Sequence, residues 1–449
     1  MKTKKYQNQI SRRKFIKKSS YAAAGASLLP TILPSCVNWK GANDRILIGH
    51  IGVGSRGGSE LRSYFLPLDD SRSVAACDLF RERRVKGAEY VNRYYKDNDM
   101  QAPECKAYHH YEEVLERTDI DAVNIVTTDH WHVLAATRAA EAGKHIMLAK
   151  PLGLSYPNYL KLKKAVNDND VMFHYGTQQR ASQHMQIGID MIQQGKIGEI
   201  ERVEVWAPGK NPVESPVCKE VPVPEGFDYE KWLGPAPQAP YCPGRVTNVG
   251  SWFTYDYSIG FLAGWGAHPL DIMVWGLKDE LSGTYSCEGT GSFWPSGGLY
   301  NNIITWDLNY EYENGLKVHF TNTETAKEEV LDHRIEKEDN GTTFYGAKGW
   351  ISLSRSSSQS SIPEIDKRLK DASTNSNTMG QEFLDVITGR REELCPLEDA
   401  IMSDTISHMG DIAIRMNRKV SWDPSKGETI DDPEANKLFV RKMRNPYQL

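Results

Sequence analysis

A glycine-rich turn directly after an apolar segment constrains this chain more than any other feature. Residues 46–51 read ILIGHI, a pattern typical of a strand buried on both faces of a parallel sheet. The turn that follows is Gly52-Val53-Gly54-Ser55-Arg56-Gly57. Gly52 permits a tight turn, Gly54 lets the backbone approach a pyrophosphate, and Gly57 lets the next helix pack closely. Because the N-terminus of that helix attracts anions, the stretch predicts the first half of a dinucleotide-binding unit.

An acidic residue follows at the position expected for a nicotinamide cofactor. A second short strand, Ser73 to Cys77, delivers Asp78 about twenty residues past the last glycine, where a carboxylate hydrogen-bonds ribose hydroxyls. A tight turn in an ordinary sheet requires no such acid, so we predict bound NAD. Asp78 would repel the 2′-phosphate of NADP, but Arg81, Arg83 and Arg84 lie close enough in sequence to leave NADP open.

Strands and helices continue to alternate after Asp78, as a doubly wound sheet requires. One apolar strand ends just before Thr127, and another delivers Lys150. Ligands of open parallel sheets bind outside the carboxyl ends of the strands, so Thr127, His132 and Lys150 are expected to share one crevice. The residues expected to contact the dinucleotide are Gly52, Gly54, Ser55, Arg56, Gly57, Asp78, Thr127, His132 and Lys150.

The second half of the chain has a different pattern. Residues 200–206, 303–312 and 316–321 alternate polar and apolar side chains, which is typical of antiparallel strands with one buried face. The serine-rich segment 352–361 is interpreted as a mobile loop, and the last residues as an extended tail. The predicted fold class is α/β, with a Rossmann dinucleotide-binding domain followed by an α+β domain that contains a large, mainly antiparallel open sheet.

Four segments are predicted from these patterns. They are a targeting segment at 1–36, a Rossmann domain at 44–170, a substrate and oligomerisation domain at 171–420, and a tail at 421–449.

The first residues have the features of an export signal. Ser11-Arg12-Arg13-Lys14-Phe15-Ile16-Lys17 is a twin-arginine signature, and the apolar run after it is too short to span a bilayer. We therefore expect export of the folded chain to the periplasm. Leu33-Pro34-Ser35-Cys36 resembles a lipoprotein box, which leaves open whether Cys36 carries a lipid anchor or is removed.

Composition limits the partners of the chain. The net charge of −5, without a basic cluster after the signal, argues against nucleic acid as a partner. The seven cysteines have no metal-type spacing, and His130 and His132 lack a third ligand, so no metal site is predicted. If the chain folds before export, its cysteines meet a reducing compartment, and their number is no argument for disulfides.

From about Arg45 onward the chain resembles the glucose-fructose oxidoreductase, inositol dehydrogenase and MocA (Gfo/Idh/MocA) family, in a branch of exported bacterial proteins. The motifs that carry the resemblance are Gly52-x-Gly54-x-x-Gly57, Thr127-Thr128-Asp129-His130-Trp131-His132, Lys150-Pro151, Gly176-Thr177-Gln178-Gln179-Arg180, Trp232-Leu233-Gly234-Pro235-Ala236-Pro237 and Trp265-Gly266-Ala267-His268-x-x-Asp271.

The resemblance implies hydride transfer on sugars or cyclitols. The family's Glu-Lys-Pro triplet supplies a lysine beside the nicotinamide; here Lys150 remains and Ala149 replaces the glutamate. The family's Asp-x-x-x-His becomes Gly264-x-x-x-His268, so the histidine remains without its carboxylate. The catalytic residues implied are His268, which accepts the hydroxyl proton, and Lys150, which polarises the same oxygen.

Four further residues are candidates for the substrate pocket. Gln179 and Arg180 either line it or anchor a strand end, and Asp271 either contacts substrate or is an acid favoured in the first turn of a helix. Tyr255, with Trp252, Tyr257 and Trp265, fits a wall that stacks on carbohydrate, although such aromatic density also occurs in ordinary cores.

Three functions remain open from the sequence. The first is an NAD-dependent oxidoreductase that retains its cofactor, oxidises a sugar or glycoside and returns the hydride to a second carbonyl compound. The second is a glycosidase that acts by transient oxidation, elimination and water addition, with Tyr255 or Tyr257 as a base. The third is a non-catalytic sugar-binding protein. The family further implies a dimer or tetramer.

Overall fold

The computed structural model describes residues 45–210, 214–324 and 340–449, all in the part of the chain from Asp44 on. The predicted twin-arginine segment and Cys36 lie outside the described residues and remain predictions. Within these three ranges, no helix is both long and apolar enough to cross a membrane.

The first third of the described chain forms a six-stranded sheet that is parallel throughout. Its strands follow the order β3-β2-β1-β4-β5-β6, the doubly wound arrangement that the motifs predicted. They are β1 (Ile46–Ile51), β2 (Ser71–Cys77), β3 (Lys106–Tyr108), β4 (Ala122–Ile125), β5 (His145–Ala149) and β6 (Phe173–Gly176). The sheet thus extends past the domain boundary predicted at residue 170.

Helices cover both faces of this sheet and bury its apolar side chains, as crossover connections require. They are α1 (Ser55–Glu60, continued by a π-helical turn over Leu61–Phe65), α2 (Arg81–Asp97), α3 (Tyr111–Leu115), α4 (Asp129–Glu141) and α5 (Tyr156–Asp168).

The rest of the chain is built on a nine-stranded sheet with the order β13-β12-β11-β7-β10-β9-β8-β14-β15. Only β7 and β10 pair in parallel, so the sheet is mixed and mostly antiparallel. The strands are β7 (Ile200–Ala207), β8 (Tyr285–Phe293), β9 (Ile303–Tyr312), β10 (Lys317–Asn322), β11 (Gly341–Gly346), β12 (Gly349–Ser354), β13 (Ser358–Ser360), β14 (Val420–Asp423) and β15 (Glu428–Thr429).

Two helices, over Ala267–Gly276 and Leu397–Met416, cover one face of this sheet and close the larger core with side chains such as Met273 and Met409. The helices of this half are α6 (Gln183–Gln193), α7 (Tyr229–Leu233), α8 (Asn248–Phe253), α9 (Phe261–Gly264), α10 (Ala267–Gly276), α11 (Pro363–Lys370), α12 (Met379–Ile387), α13 (Leu397–Met416) and α14 (Pro433–Leu438).

Three features differ from the sequence-based expectations. The serine-rich segment forms β12 and β13, because its serine hydroxyls find partners inside the sheet; Ser352, for example, accepts from Thr343 Oγ1 at 2.9 Å. The tail is not extended, since Phe439 is buried against Trp422. Cys218 and Cys242 form a disulfide, a pairing that the cysteine count did not predict.

Candidate active site

A cavity of about 550 Å³ lies at the carboxyl ends of the parallel strands, where the topology places ligands. The α+β half closes it with side chains that include Trp265 and His268. Nine of the residues predicted to be catalytic or to bind the cofactor line this cavity: Gly52, Gly54, Ser55, Arg56, Gly57, Asp78, Thr127, Lys150 and His268.

The glycine turn is packed so closely that a side chain at Gly52 or Gly57 would not fit. Gly52 has a φ of +87°, and a Cβ there would lie 2.2 Å from the carbonyl oxygen of Val126. A Cβ on Gly57 would lie 1.9 Å from the carbonyl oxygen of Gly52. The turn and the start of α1 therefore form a close-packed cradle, which fits the pyrophosphate of a dinucleotide.

The Asp78 carboxylate is held in place at the end of β2. Its two oxygens accept the backbone N–H groups of Val53, at 3.1 Å, and Phe80, at 3.0 Å. Burial raises the pKa of Asp78. Each carboxylate oxygen keeps a second lone pair for a hydroxyl donor, so the placement fits the predicted contact with ribose.

Arg83 lies at the same edge of the cavity. Its guanidinium stacks 3.9 Å from the centre of the Phe80 ring, and Nη1 would be 3.2 Å from a Cβ on Gly54. A cation therefore lies beside Asp78, where it could pair with the 2′-phosphate of NADP.

Lys150 is the buried cation of the cavity. Its Nζ donates a hydrogen bond to the backbone carbonyl of Gly264 and lies 5.5 Å from the centre of the Trp265 ring. Burial lowers the pKa of Lys150 to about 8. The amine can therefore hold or release a proton within the pH range of ordinary catalysis.

Two carboxylates that we did not single out in the sequence stand near this amine. Asp129 begins α4 and Glu60 ends α1; both line the cavity, and their charges raise the pKa of Lys150 against the effect of burial. Burial raises the pKa of each carboxyl group in turn. The sequence could have indicated Asp129, because this residue lies in a motif directly after a strand. No sequence pattern indicated Glu60.

His268 is the second titratable group at the reacting end. The ring is buried, and Nδ1 has no hydrogen-bond partner among residues 45–210, 214–324 and 340–449. Burial lowers the pKa of His268, and the nearby charges of Lys150, Arg355 and Arg56 lower it further. A neutral imidazole at neutral pH is the form that can accept a proton.

Arg355 is a cavity residue that sequence reasoning missed. It lies between β12 and β13, in the segment interpreted as a loop, and its guanidinium is 5.1 Å from the centre of the Trp265 ring. Lys150 and Arg355 thus both lie within 5.5 Å of the centre of the Trp265 ring.

His132 lies behind the cavity wall and does not line it. Its Nδ1 is 2.7 Å from the carbonyl oxygen of Pro151, and its Nε2 is 3.1 Å from that of Thr127. The structure thus places His132 as a link between two segments that carry cavity residues.

The predicted substrate residues Arg180 and Asp271 also lie outside the cavity. Arg180 donates two hydrogen bonds to the Asp271 carboxylate, at 2.7 and 2.6 Å, and a third to Asp399 at 2.8 Å. All three side chains are buried. Because their polar groups are used within the core, this placement favours the anchoring alternative.

Gln179 and Tyr255 likewise lie outside the cavity, where their side chains contact other residues. Gln179 is buried and donates to Asn340 at 2.7 Å. The Tyr255 ring lies between the guanidinium groups of Arg415 and Arg441, 3.6 and 3.5 Å from its centre. Of the four aromatic residues proposed as a wall, only Trp252 and Trp265 line the cavity.

Comparison with known proteins identifies both halves of the chain. Residues 46–177 match the family described as "Oxidoreductase family, NAD-binding Rossmann fold". Residues 212–449 match "Oxidoreductase family, C-terminal alpha/beta domain" of the same Gfo/Idh/MocA group. The two matches together cover the parallel sheet and all strands of the nine-stranded sheet except β7.

A curated relative, glycosyl hydrolase family 109 protein 2 of Shewanella sp. (strain ANA-3), is 32% identical over 130 residues, 29% of this chain and 26% of the relative. The chain thus spans about a quarter of the length of this relative in the match.

Solved structures share the fold at low identity. The WlbA dehydrogenase of Chromobacterium violaceum, in complex with NADH and UDP-GlcNAcA, aligns with a TM-score of 0.63 at 14% identity, over 84% of this chain and 96% of that one. The aldose-aldose oxidoreductase of Caulobacter crescentus aligns with a TM-score of 0.60 at 14% identity, over 84% and 100%.

Proposed function

This chain belongs to the Gfo/Idh/MocA oxidoreductase family, and we propose that it oxidises a ring hydroxyl of a sugar or glycoside to a ketone, or catalyses the reverse, with retained NAD. One observation carries the proposal: Lys150, whose pKa is lowered to about 8, and His268, whose imidazole is neutral at neutral pH, line the same cavity as the dinucleotide turn. The aromatic side chains of Trp252 and Trp265 beside them suit a carbohydrate ring.

In the proposed reaction the substrate CH–OH loses a proton and a hydride. His268 accepts the hydroxyl proton, and the Lys150 ammonium stabilises the negative charge that develops on the same oxygen. The nicotinamide, when bound, supplies the hydride acceptor. The negative charges of Asp129 and Glu60 raise the pKa of Lys150 against the effect of burial, so the amine is mostly protonated at neutral pH.

Retention of the cofactor follows from the proposed export. An exported enzyme meets no pool of NAD, so it must keep the cofactor it folded with and return it to its starting state in each cycle. Retention for about an hour, at an association rate of ~10⁶ M⁻¹s⁻¹, requires a Kd of roughly 10⁻¹⁰ M. A second carbonyl compound would then take the hydride back; the name of the aldose-aldose oxidoreductase, a structural neighbour, is consistent with such recycling.

A second candidate is an NAD-dependent glycosidase. The similarity to glycosyl hydrolase family 109 proteins favours it. That route needs a base for a C–H proton next to the transient ketone. Neither Tyr255 nor Tyr257 lines the cavity, whereas the carboxylates of Asp129 and Glu60 do, so we assign the base to one of these carboxylates in this alternative.

The absorbance spectrum of the purified protein, without added cofactor, separates these functions. Bound NAD that becomes stable NADH on a sugar and is reset by a keto-sugar would support the oxidoreductase. Release of an aglycone without lasting NADH would support the glycosidase. Bound nucleotide without turnover on a broad panel would favour the sugar-binding alternative, and no bound nucleotide would contradict cofactor retention.

A further inference from the structure

Two consecutive histidines and an aspartate meet at one edge of the cofactor cavity. His109 and His110 follow β3 on the Rossmann half, and Asp228 precedes α7 on the other half. One ligand atom from each lies within 4.8 Å of the other two. We propose that His109, His110 and Asp228 bind one divalent transition metal ion, for which two imidazoles and a carboxylate suit Zn²⁺.

The distances agree with a shared ion better than with a direct bond. Nε2 of His109 is 3.5 Å from Oδ2 of Asp228, beyond the usual range for an N–H···O hydrogen bond. Two ligands of a tetrahedral Zn²⁺, each about 2.0–2.1 Å from the metal, are separated by about 3.4 Å. The imidazoles of His109 and His110 stack with centres 4.1 Å apart, and one ligand atom of each of the three residues lies within 4.8 Å of the others.

Hydrogen bonds hold the Asp228 carboxylate and the backbone of the two histidines in place. Oδ1 of Asp228 accepts the backbone N–H of Lys231 at 2.9 Å, which leaves Oδ2 toward His109. One carboxylate oxygen of Glu113 accepts the backbone N–H groups of His109, at 3.2 Å, and His110, at 2.9 Å. Nδ1 of His110 is buried without a hydrogen-bond partner among the described residues. Contacts like those of Asp228 with Lys231 and of Glu113 with the two histidines orient ligands at metal sites.

The local charge and access are suitable for a cation. The carboxylates of Asp228 and Glu113 favour a positive charge at His109, against the effects of burial and of the charges of His110 and Arg84. The side chains of His109 and Asp228 are 38% and 27% exposed, so an ion can enter from solvent and keep a water ligand.

The position of this site suggests what the ion does. His109 lines the cofactor cavity, and the segment before Asp228 already contacts its wall: Phe227 stacks on Phe80 at 4.0 Å, and the carbonyl of Gly226 accepts the N–H of Arg81 at 3.0 Å. A metal ion would tie this segment to the Rossmann half at the edge near Asp78. We therefore expect it to slow release of the dinucleotide, whatever the substrate.

Calorimetric titration of the full chain with Zn²⁺, after treatment with a chelator, tests the site. We expect one ion per chain and affinity at least tenfold weaker in Asp228→Asn, which keeps an oxygen to cap α7 but loses the charge. His319→Gln is the matched control, since this imidazole also contacts two carboxylates, those of Glu204 and Asp307. Equal binding by the wild type and Asp228→Asn, a loss in His319→Gln, or no saturable binding would overturn the proposal.

The dissociation rate of bound dinucleotide provides a second readout. Zn²⁺ should slow it several-fold in the wild type and leave Asp228→Asn unchanged. Because sugar turnover is not measured, failure of the proposed function would not affect this test. Equal rates with and without Zn²⁺ would remove the assigned role in cofactor release.

Discussion

The side-chain nitrogen of Lys150 donates its hydrogen bond to the backbone carbonyl of Gly264, four residues before His268. This is the position at which the family pattern Asp-x-x-x-His has its aspartate and this chain has a glycine. A neutral carbonyl solvates an ammonium but carries no full charge, so burial dominates and the pKa of Lys150 falls to about 8. A Cβ added at Gly264 meets no atom within 4 Å, so there is space for a side chain.

Gly264→Asp should therefore be tolerated and should raise the pKa of Lys150 by about one unit, because an opposite charge favours the ammonium. In the proposed mechanism the rate of sugar oxidation falls as Lys150 loses its proton, near pH 8 in the wild type. The alkaline limit of kcat should move upward by the same amount. Gly264→Asn, of equal size and without charge, is the control; an identical shift in both variants would contradict the electrostatic account.

Replacing Lys150 by Met should lower the rate of hydride transfer roughly 10²–10⁴-fold and leave the dinucleotide bound, because the positive charge beside the developing oxyanion is lost while the glycine turn is intact. Single-turnover reduction of the bound nucleotide measures this. Lys144→Met is the matched control: that amine donates to the carbonyls of Arg117 and Ile120, outside the cavity. It should lower the free energy of unfolding while the rate stays within about threefold. Full activity of Lys150→Met would remove Lys150 from the mechanism.

The parallel half was predictable because its signals are local. A buried strand, a glycine turn and a distal acid follow one another along the chain, and sheet topology alone brings Asp78, Thr127 and Lys150 to one edge. The glycines were also predictable from a steric requirement that no other residue meets, as the close contact between Gly57 and Gly52 illustrates.

The substrate side was less predictable because it depends on which way a polar side chain points. Arg180 and Asp271 are 91 positions apart, and nothing in the sequence indicates that they pair with each other in the core. Arg355 enters the cavity only because the serine-rich segment folds as a hairpin. The cluster of His109 and Asp228 joins the two halves, so no spacing within one motif could have indicated it.

Gly57→Ala should disrupt the dinucleotide cradle, since its Cβ would lie 1.9 Å from the backbone oxygen of Gly52, which cannot move aside as a flexible side chain would. We expect the free energy of unfolding to fall by about 1–3 kcal/mol and the purified protein to lose most of its nucleotide. Denaturant titration and the absorbance spectrum measure the two effects. Gly264→Ala, at a position with open space, should behave as the wild type. A Gly57→Ala protein with a full complement of nucleotide would rule out this packing requirement.

His319 should make the stability of the nine-stranded sheet depend on pH. The imidazole lies between Glu204, at 2.7 Å, and Asp307, at 2.9 Å, on neighbouring strands. Burial alone would lower the pKa of His319, but hydrogen bonds to the two carboxylates outweigh it and raise the pKa above 6.5. The folded state therefore binds the proton more tightly than the unfolded chain. This contribution to stability is fully present below pH 6.5 and is lost as the pH rises through the folded-state pKa.

His319→Gln should remove this dependence and lower the free energy of unfolding at pH 6 by roughly 1–3 kcal/mol, the range for hydrogen bonds to charged groups. Denaturant titrations from pH 6 to pH 9 would show the wild type and variant curves converging at the alkaline end. A constant difference across that range would mean that packing, not the protonated imidazole between two carboxylates, accounts for the contribution of His319. The dependence of the free energy of unfolding on sodium chloride gives an independent check. Salt should weaken mainly the interaction of His319 with Asp307, since the Asp307 side chain is the more exposed of the two carboxylates.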